Sequence, residues 1–234
     1  MVNIDAVYQK VLALANKEQR GYITPQEFNL FADQAQKEIF EQYFYDLDQR
    51  LRAPSNSEEY SDIISNLREK IMLFEAFTSI VNGSPAIPAG AVFYRLGTVI
   101  TSQGEKIEEV QPNENAYILN SPLLSPSEKR PTFVRFDAGF GNGPINITPS
   151  TSAIGALCYY TRMPTTPSWG YFVVGDRALY DPNPTKTTDF ELHPSEETEL
   201  VYKILTFAGI AMKKDDIAKS GSGLNLSQIQ QEKQ

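Results

Sequence analysis

The sequence predicts an α+β fold in which a helical bundle, formed by N- and C-terminal helices, carries an inserted antiparallel β domain. Apolar residues recur at three- and four-residue steps in the first third of the 234-residue chain and again near its C-terminus. Between these stretches, glycine, proline, β-branched and aromatic residues cluster in short runs typical of strands. We therefore predict N-terminal bundle helices at 1–84, a β-rich insertion at 85–188, a C-terminal bundle helix at 189–219 and a flexible tail at 220–234.

The stretch 189–212 predicts the helix that closes the bundle. Pro194 suits the first helical turn, because the N–H that proline lacks would be unpaired there anyway. Glutamates in the same turn place negative charge beside the positive end of the helix dipole. An apolar stripe follows, made of Leu200, Val201, Ile204, Leu205, Ala208, Ala211 and Met212.

Three helices are predicted in the N-terminal segment. The first spans 3–18 and is capped by Asn3. The second begins at T-P-Q-E, where Thr24 and Glu27 have the spacing of a capping box. The third runs from the Ser57 cap to residue 81, because its aromatic and aliphatic side chains keep a helical spacing.

The middle of the chain predicts strands at 92–101, 106–110, 133–136, 145–148, 154–162 and 171–174, with a short helix at 113–122. A small antiparallel sandwich or barrel is the expected arrangement. Strand order and pairing remain open at this stage.

Composition excludes several classes of function. The net charge of -8 and the pI near 4.8 argue against tight nucleic-acid binding through a basic face. The one cysteine, Cys158, allows no internal disulfide. No apolar run approaches the roughly 20 residues needed to span a bilayer, and the N-terminus lacks the pattern of a signal peptide. We therefore expect a soluble protein that is made in the cytoplasm and has no membrane partner.

Residues 16–27 have the outline of a calcium-binding EF-hand loop. Gly21 takes the sixth place and Glu27 the twelfth. The first ligand would be the neutral Asn16, however, and the fifth would be the cationic Arg20. A turn between two helices is the better interpretation, and a calcium-responsive protein-binding module is kept as the alternative function.

No catalytic, cofactor-binding or metal-binding group is predicted. The one histidine, His193, stands two residues before Ser195, but a general base also needs a third group to orient it. One cysteine and one histidine are too few for a zinc site. The glycine-rich stretch 137–144 is interpreted as a β-turn rather than a phosphate-binding loop. It ends in Pro144 and is followed by an alternating strand pattern, whereas a phosphate-binding loop precedes a helix. We therefore predict that the chain is not an enzyme and has no cofactor.

Protein partners are expected instead. Trp169, in T-P-S-W-G-Y, is a candidate interface anchor, with a half-buried loop tryptophan as the equal alternative. The polar tail carries three apolar residues, which are candidate contacts with a neighbouring chain: Leu224, Leu226 and Ile229.

Four motifs occur in a fixed order along the chain. They are Y-I-T-P-Q-E-F-N-L-F-A-D-Q-A-Q-K-E-I-F, N-S-P-L-L-S-P-S-E-K-R-P-T-F-V, Y-Y-T-R-M-P-T-T-P-S-W-G-Y and F-E-L-H-P-S-E-E-T-E-L-V-Y-K-I-L. The series, which covers most of residues 20–220, resembles virion structural proteins of tailed bacteriophages. It is most similar to the head–tail connector, or adaptor, ring proteins of short-tailed, crAss-like phages.

This resemblance implies a virion protein at the head–tail junction or tail. Such proteins form a ring beneath the portal, and the implied assembly is a dodecamer of identical chains. The implied partners are further copies of the chain, the portal protein and other tail or ring proteins. Genomic DNA would pass through the lumen without specific binding, and the acidic balance of this chain suits that role.

Overall fold

A computed structural model describes residues 1–16, 23–52, 58–81, 84–86, 91–135, 145–175, 177–183, 185–211, 222–223 and 226–227. Over these residues the chain is mixed α and β, as predicted. It divides into two compact units. Unit 1 contains Met1–Leu73 and Pro164–Gln234, and unit 2 is the single stretch Phe74–Met163.

The described helices are α1 (Ile4–Asn16), α2 (Pro25–Arg52), α3 (Glu58–Met72), α4 (Pro112–Asn120) and α5 (Glu197–Ala211). The described strands are β1 (Glu75–Val81), β2 (Ser84–Pro85), β3 (Phe93–Ile100), β4 (Lys106–Glu109), β5 (Thr132–Arg135), β6 (Ile145–Thr148), β7 (Leu157–Arg162), β8 (Tyr171–Val174) and β9 (Arg177–Tyr180). Short 3₁₀ turns occupy Ser150–Ala153 and Pro194–Glu196.

Side chains cap α1 and α2 as the sequence predicted. Asn3 accepts a hydrogen bond from the backbone N–H of Ala6 at 3.0 Å. At the start of α2, the Thr24 hydroxyl accepts from the Glu27 N–H, and the Glu27 carboxylate accepts from the Thr24 N–H at 3.0 Å. This reciprocal capping box satisfies backbone donors that the helix itself leaves unpaired.

The core of unit 1 lies where α5 packs against α1 and α2. Its side chains are mostly apolar, and those that are almost fully buried include Ile4, Phe28, Ile39, Phe40, Phe190, Leu192, Leu200 and Ile204. Burying one such side chain stabilises the fold by about 1.5–3 kcal/mol. The two segments of unit 1 also meet through a bridge between Val2 and Phe190 and through the Ile4 N–H, which donates to the Asp189 carboxylate at 2.9 Å.

Unit 2 is built on one sheet, whose strand order in the described residues is β2-β1-β7-β3-β4-β5-β6. Its buried face carries an apolar cluster that includes Ile80, Phe93, Val99, Ile107, Phe133, Ile145, Ile147, Cys158 and Tyr160. Strands β8 and β9 do not belong to this sheet. They form a separate two-stranded ribbon in unit 1.

The prediction that the third helix continues to residue 81 is wrong. Helix α3 ends at Met72, and β1 follows as a strand that pairs antiparallel with β7. Thr78 and Ile80 are buried, whereas Phe77 and Val81 are exposed, which is the two-residue alternation of a strand. The spacing of the aromatic residues suggested a helix over this stretch. Its β-branched residues instead favour a strand, which pairs with β7.

The inserted domain is not wholly antiparallel, because β4 and β5 pair in parallel. A parallel pair needs a crossover of a dozen or more residues, and α4 with its following loop supplies it. Predicted strand 154–162 also begins later, at Leu157, since Gly155 takes a φ of +71° that ends the preceding turn.

The boundaries of the two units differ from the predicted ones. Strand β1 belongs to unit 2 rather than to the N-terminal helices, and residues 164–188 belong to unit 1 rather than to the β domain. The predicted cap at Ser57, the turn at 137–144 and most of the tail at 220–234 lie outside the described residues.

We expect Thr24→Ala to lower the free energy of unfolding by about 1 kcal/mol, since it removes half of the capping box. The pKa of Glu27 lies below its ordinary 4.5, mainly because its carboxylate accepts a hydrogen bond from the Thr24 backbone N–H, and to a smaller extent because it accepts one from the Thr24 hydroxyl. The stabilisation from Glu27 is therefore full above pH 4.5 and disappears as the pH falls through that lowered pKa. Denaturant unfolding at neutral and acidic pH measures both effects. Thr198→Ala, at an exposed site within α5, is the matched control and should cause no loss.

Cys158 should not react with thiol reagents in the folded protein. Burial in β7 raises the pKa of its thiol to about 11, so almost no thiolate exists at about pH 8. Alkylation followed by mass spectrometry should show no modification until denaturant opens unit 2. Rapid labelling of the native protein would contradict this burial.

Candidate interaction surfaces

Trp169 is a core residue of unit 1. Its side chain is only 2% exposed, and its indole N–H donates to the Asp5 carboxylate at 2.9 Å. The ring stacks on Tyr171 and Tyr180, with centroids 5.9 and 5.8 Å away, and the Asn29 side chain accepts from its backbone N–H. The predicted role as an exposed interface anchor therefore does not fit, because these contacts use the surface that a partner would need.

The other predicted contacts lie in the tail. Leu224 and Ile229 are outside the described residues, so their prediction stays untested. Leu226 is described, and 61% of its surface is exposed.

A cleft of about 270 Å³ in unit 1 lies between α3 and the entrance of α5. It is lined by Asn66, Glu69, Lys70, His193 and Ser195. The neighbouring carboxylate of Glu196 is buried and forms a salt bridge with Lys70. The Lys70 ammonium also lies 5.6 Å from the centre of the Tyr43 ring, a favourable cation–π distance.

The hydroxyl of Ser195 joins the histidine to this salt bridge. It lies 2.9 Å from His193 Nδ1 and 3.0 Å from Glu196 Oε1, to which it donates. The same ring nitrogen accepts from the Ser195 backbone N–H, which caps the turn leading into α5. Over the described part of the chain, the ring hydrogen-bonds with Ser195 alone. The arrangement fits a helix entrance, because the His193 ring caps this turn and none of the described residues orients the imidazole as a third group would orient a base.

Residues 17–22 of the candidate calcium loop lie outside the described residues. Its two ends are placed: Asn16 ends α1, and the Glu27 carboxylate is engaged by Thr24 at the start of α2. The described residues contain no group of three or more histidine, cysteine, aspartate or glutamate side chains arranged to hold a metal ion. Nor does any described helix combine the length and apolar character needed to cross a membrane.

Unit 2 exposes large apolar side chains in two places. On the outer face of its sheet, Phe77 of β1 lies beside Tyr159 of β7, with ring centroids 6.2 Å apart. On α4 and in the loop after it, Tyr117 is 81% and Leu123 is 92% exposed, and no residue of α4 is buried. Sequence reasoning missed both places, because only the folded chain shows which apolar residues stay outside the core.

Unit 1 exposes a third apolar surface on one face of the β8–β9 ribbon, formed by Phe172, Val174 and Leu179, and Val173 is exposed on the opposite face. Contiguous exposed apolar groups of this kind mark sites of protein–protein contact. No protein-family model and no curated protein matches the chain.

We expect Lys70→Met to destabilise unit 1 by roughly 2–3 kcal/mol, because it leaves the Glu196 carboxylate buried without its cation. The double variant Lys70→Met/Glu196→Gln should recover part of that loss. The matched control is Lys10→Met, which breaks a more exposed pair with Glu197 and should cost less than about 1 kcal/mol. Urea unfolding followed by the emission of Trp169 measures all three. Equal losses at Lys70 and Lys10 would contradict a structural role for the buried pair.

Proposed function

We propose that the chain is a structural subunit of a phage head–tail connector ring. In this role it joins the portal to tail components and lines the channel through which DNA passes. The α1, α2, α3 and α5 helices would form the bundle of the subunit, and residues 74–163 its inserted β-rich domain. The assembly would be a dodecamer within the virion.

The observation that carries the proposal is the division of the chain. Both ends contribute to unit 1, and one continuous middle stretch makes unit 2, which is the organisation that the resemblance to adaptor proteins implies. The motifs of that resemblance also coincide with structural features. T-P-Q-E forms the capping box of α2, and F-E-L-H-P-S-E-E leads into α5.

The exposed surfaces are a second line of support. Tyr117, Leu123 and Phe77 of unit 2 and the ribbon of unit 1 leave apolar area in water. A subunit that is covered by neighbours in a particle accounts for such area, whereas a lone globular chain does not need it.

The charge balance supports a channel role. With a net charge of -8, a lumen built from this chain would repel the phosphate backbone. DNA could then move past the wall without adhering, since phosphate neutralisation by lysine and arginine supplies most non-specific affinity.

Electron microscopy and mass photometry of the purified protein, alone and with the portal protein of the same virion, test the proposal. We expect closed rings with twelve times the 26.2 kDa mass of one chain, either spontaneously or once the portal is added. A chain that stays monomeric with the portal and with tail proteins would overturn the proposal.

Calorimetric titration of the same preparation with calcium separates the alternative function. A calcium-responsive module would release or absorb heat at up to about millimolar calcium. A connector subunit whose Glu27 serves as a helix cap should give none. Binding heat together with a failure to assemble would favour the calcium-responsive module.

A further inference from the structure

We propose that the β8–β9 ribbon is the junction between neighbouring copies of this chain. The open edge of β8 in one copy pairs with the open edge of β9 in the next, so that the ribbons continue as one antiparallel sheet. The inference rests on the proposed ring function and names the surface through which the ring closes.

The base of the ribbon is held firmly within unit 1. Tyr171 and Tyr180, paired across the two strands, both stack on the buried Trp169. Below them the Asp181 N–H donates to the Gly170 carbonyl at 2.9 Å, and the Gly170 N–H donates to the Thr187 hydroxyl. A side chain at Gly170 would meet that hydroxyl at 2.6 Å, so the backbones approach closely here. The ribbon therefore leaves unit 1 in a defined direction.

The outer part of the ribbon lacks such support. Val173 and Val174 of β8 are 63% and 57% exposed, and Phe172 and Leu179 are nearly half exposed. A two-stranded ribbon is marginally stable in water unless further strands or a packed layer cover it. The exposed apolar side chains, together with the lack of a third strand among the described residues, favour a covering chain at this part of the ribbon.

The backbone of the ribbon offers two edges. Val174 pairs with Arg177 across a two-residue loop, so this pair is the hydrogen-bonded one and the pairs alternate from there. By that alternation, Val173 and Ala178 direct their N–H and C=O groups outward. Among the described residues, β8 and β9 pair only with each other.

The usual protection of exposed edges is weak here. Proteins guard free edge strands with lysine, proline, inward charges or bulges. The described ribbon residues, Y-F-V-V and R-A-L-Y, contain one charged side chain, Arg177, and no proline. The register of the pair is also regular, without a bulge.

A second copy of the same chain fits this surface best. Each copy provides one β8 edge and one β9 edge, which run in opposite directions, so a β8 edge placed on the next β9 edge continues the antiparallel order. Phe172, Val174 and Leu179 share one face of the ribbon, so the apolar rows of adjacent copies would lie side by side. Head-to-tail pairing of two different edges leaves no edge free once the rotation between successive copies closes the ring.

Two edge variants test the junction. Val173→Pro blocks the β8 edge and Ala178→Pro blocks the β9 edge, because each removes one outward N–H without touching the bonds inside the ribbon. Val173→Lys and Ala178→Lys serve the same purpose should proline distort the strand. Unchanged Trp169 emission shows that unit 1 is folded, and Leu30→Lys, at an exposed residue of α2, is the control for loss of an apolar surface residue.

Assembly is measured by mass photometry over a range of concentrations, with the portal protein added where the wild-type chain needs it. We expect either edge variant alone to require about tenfold or more higher concentration for assembly, and Leu30→Lys to assemble as the wild-type chain does. An equal mixture of the two edge variants should form pairs that stop at two, since only one intact β8 edge meets one intact β9 edge.

Other results overturn the inference in distinguishable ways. If only one variant loses assembly, the copies pair through like edges about a twofold axis. If both variants form normal rings, the ribbon is not the junction, although the connector function stands. If the variants lose binding to the portal while the wild-type chain binds it as a monomer, the ribbon pairs with a strand of the portal protein. If the wild-type chain neither assembles nor binds the portal, the connector function fails as well.

Discussion

The burial of α5 against α1 and α2 is the constraint on which unit 1 depends. Leu200 and Ile204 of α5 and Phe28 of α2 are almost fully buried, and α5 packs on both α1 and α2. Isolated helices of this length are marginal in water, so their stability comes from packing rather than from propensity. The N- and C-terminal segments must therefore fold together, and this requirement sets the middle of the chain apart as a unit of its own.

Buried polar side chains then fix how the returning segment lies on α2. The amide of Gln36 donates to the Thr165 carbonyl at 2.8 Å and accepts from the Glu191 N–H at 3.0 Å. Asn29, which lies about two turns before Gln36 on α2 and is partly buried, holds the backbone of Trp169 in the same way. Apolar packing alone would tolerate a sliding contact, whereas a buried amide is satisfied in one position only. These amides are thus the reason that the Trp169 site and the base of the ribbon have a defined place.

The sequence predicted the features that depend on local chemistry. The caps at Asn3 and Thr24, the apolar stripe of α5 from Leu200 to Ala208 and most strand positions follow from spacing and turn residues, and the structure confirms them. The sequence alone could not predict the features that depend on residues distant along the chain. Residues 75–81 become a strand because β7 pairs with them, and Trp169 is buried because Tyr171, Tyr180 and Asp5 surround it. The Lys70–Glu196 pair and the exposed ribbon likewise appear only once remote segments have met.

The discontinuous make-up of unit 1 has a consequence during synthesis. The whole of unit 2 leaves the ribosome before α5 does, so its sheet can form while α1 and α2 still lack their covering helix. The apolar faces of α1 and α2 stay exposed to water until the whole of α5, which ends at Ala211, has emerged. A nascent chain that has emerged from the ribosome only as far as residue 163 would therefore carry a complete sheet and uncovered apolar helix faces, which remain liable to aggregate until α5 packs on them.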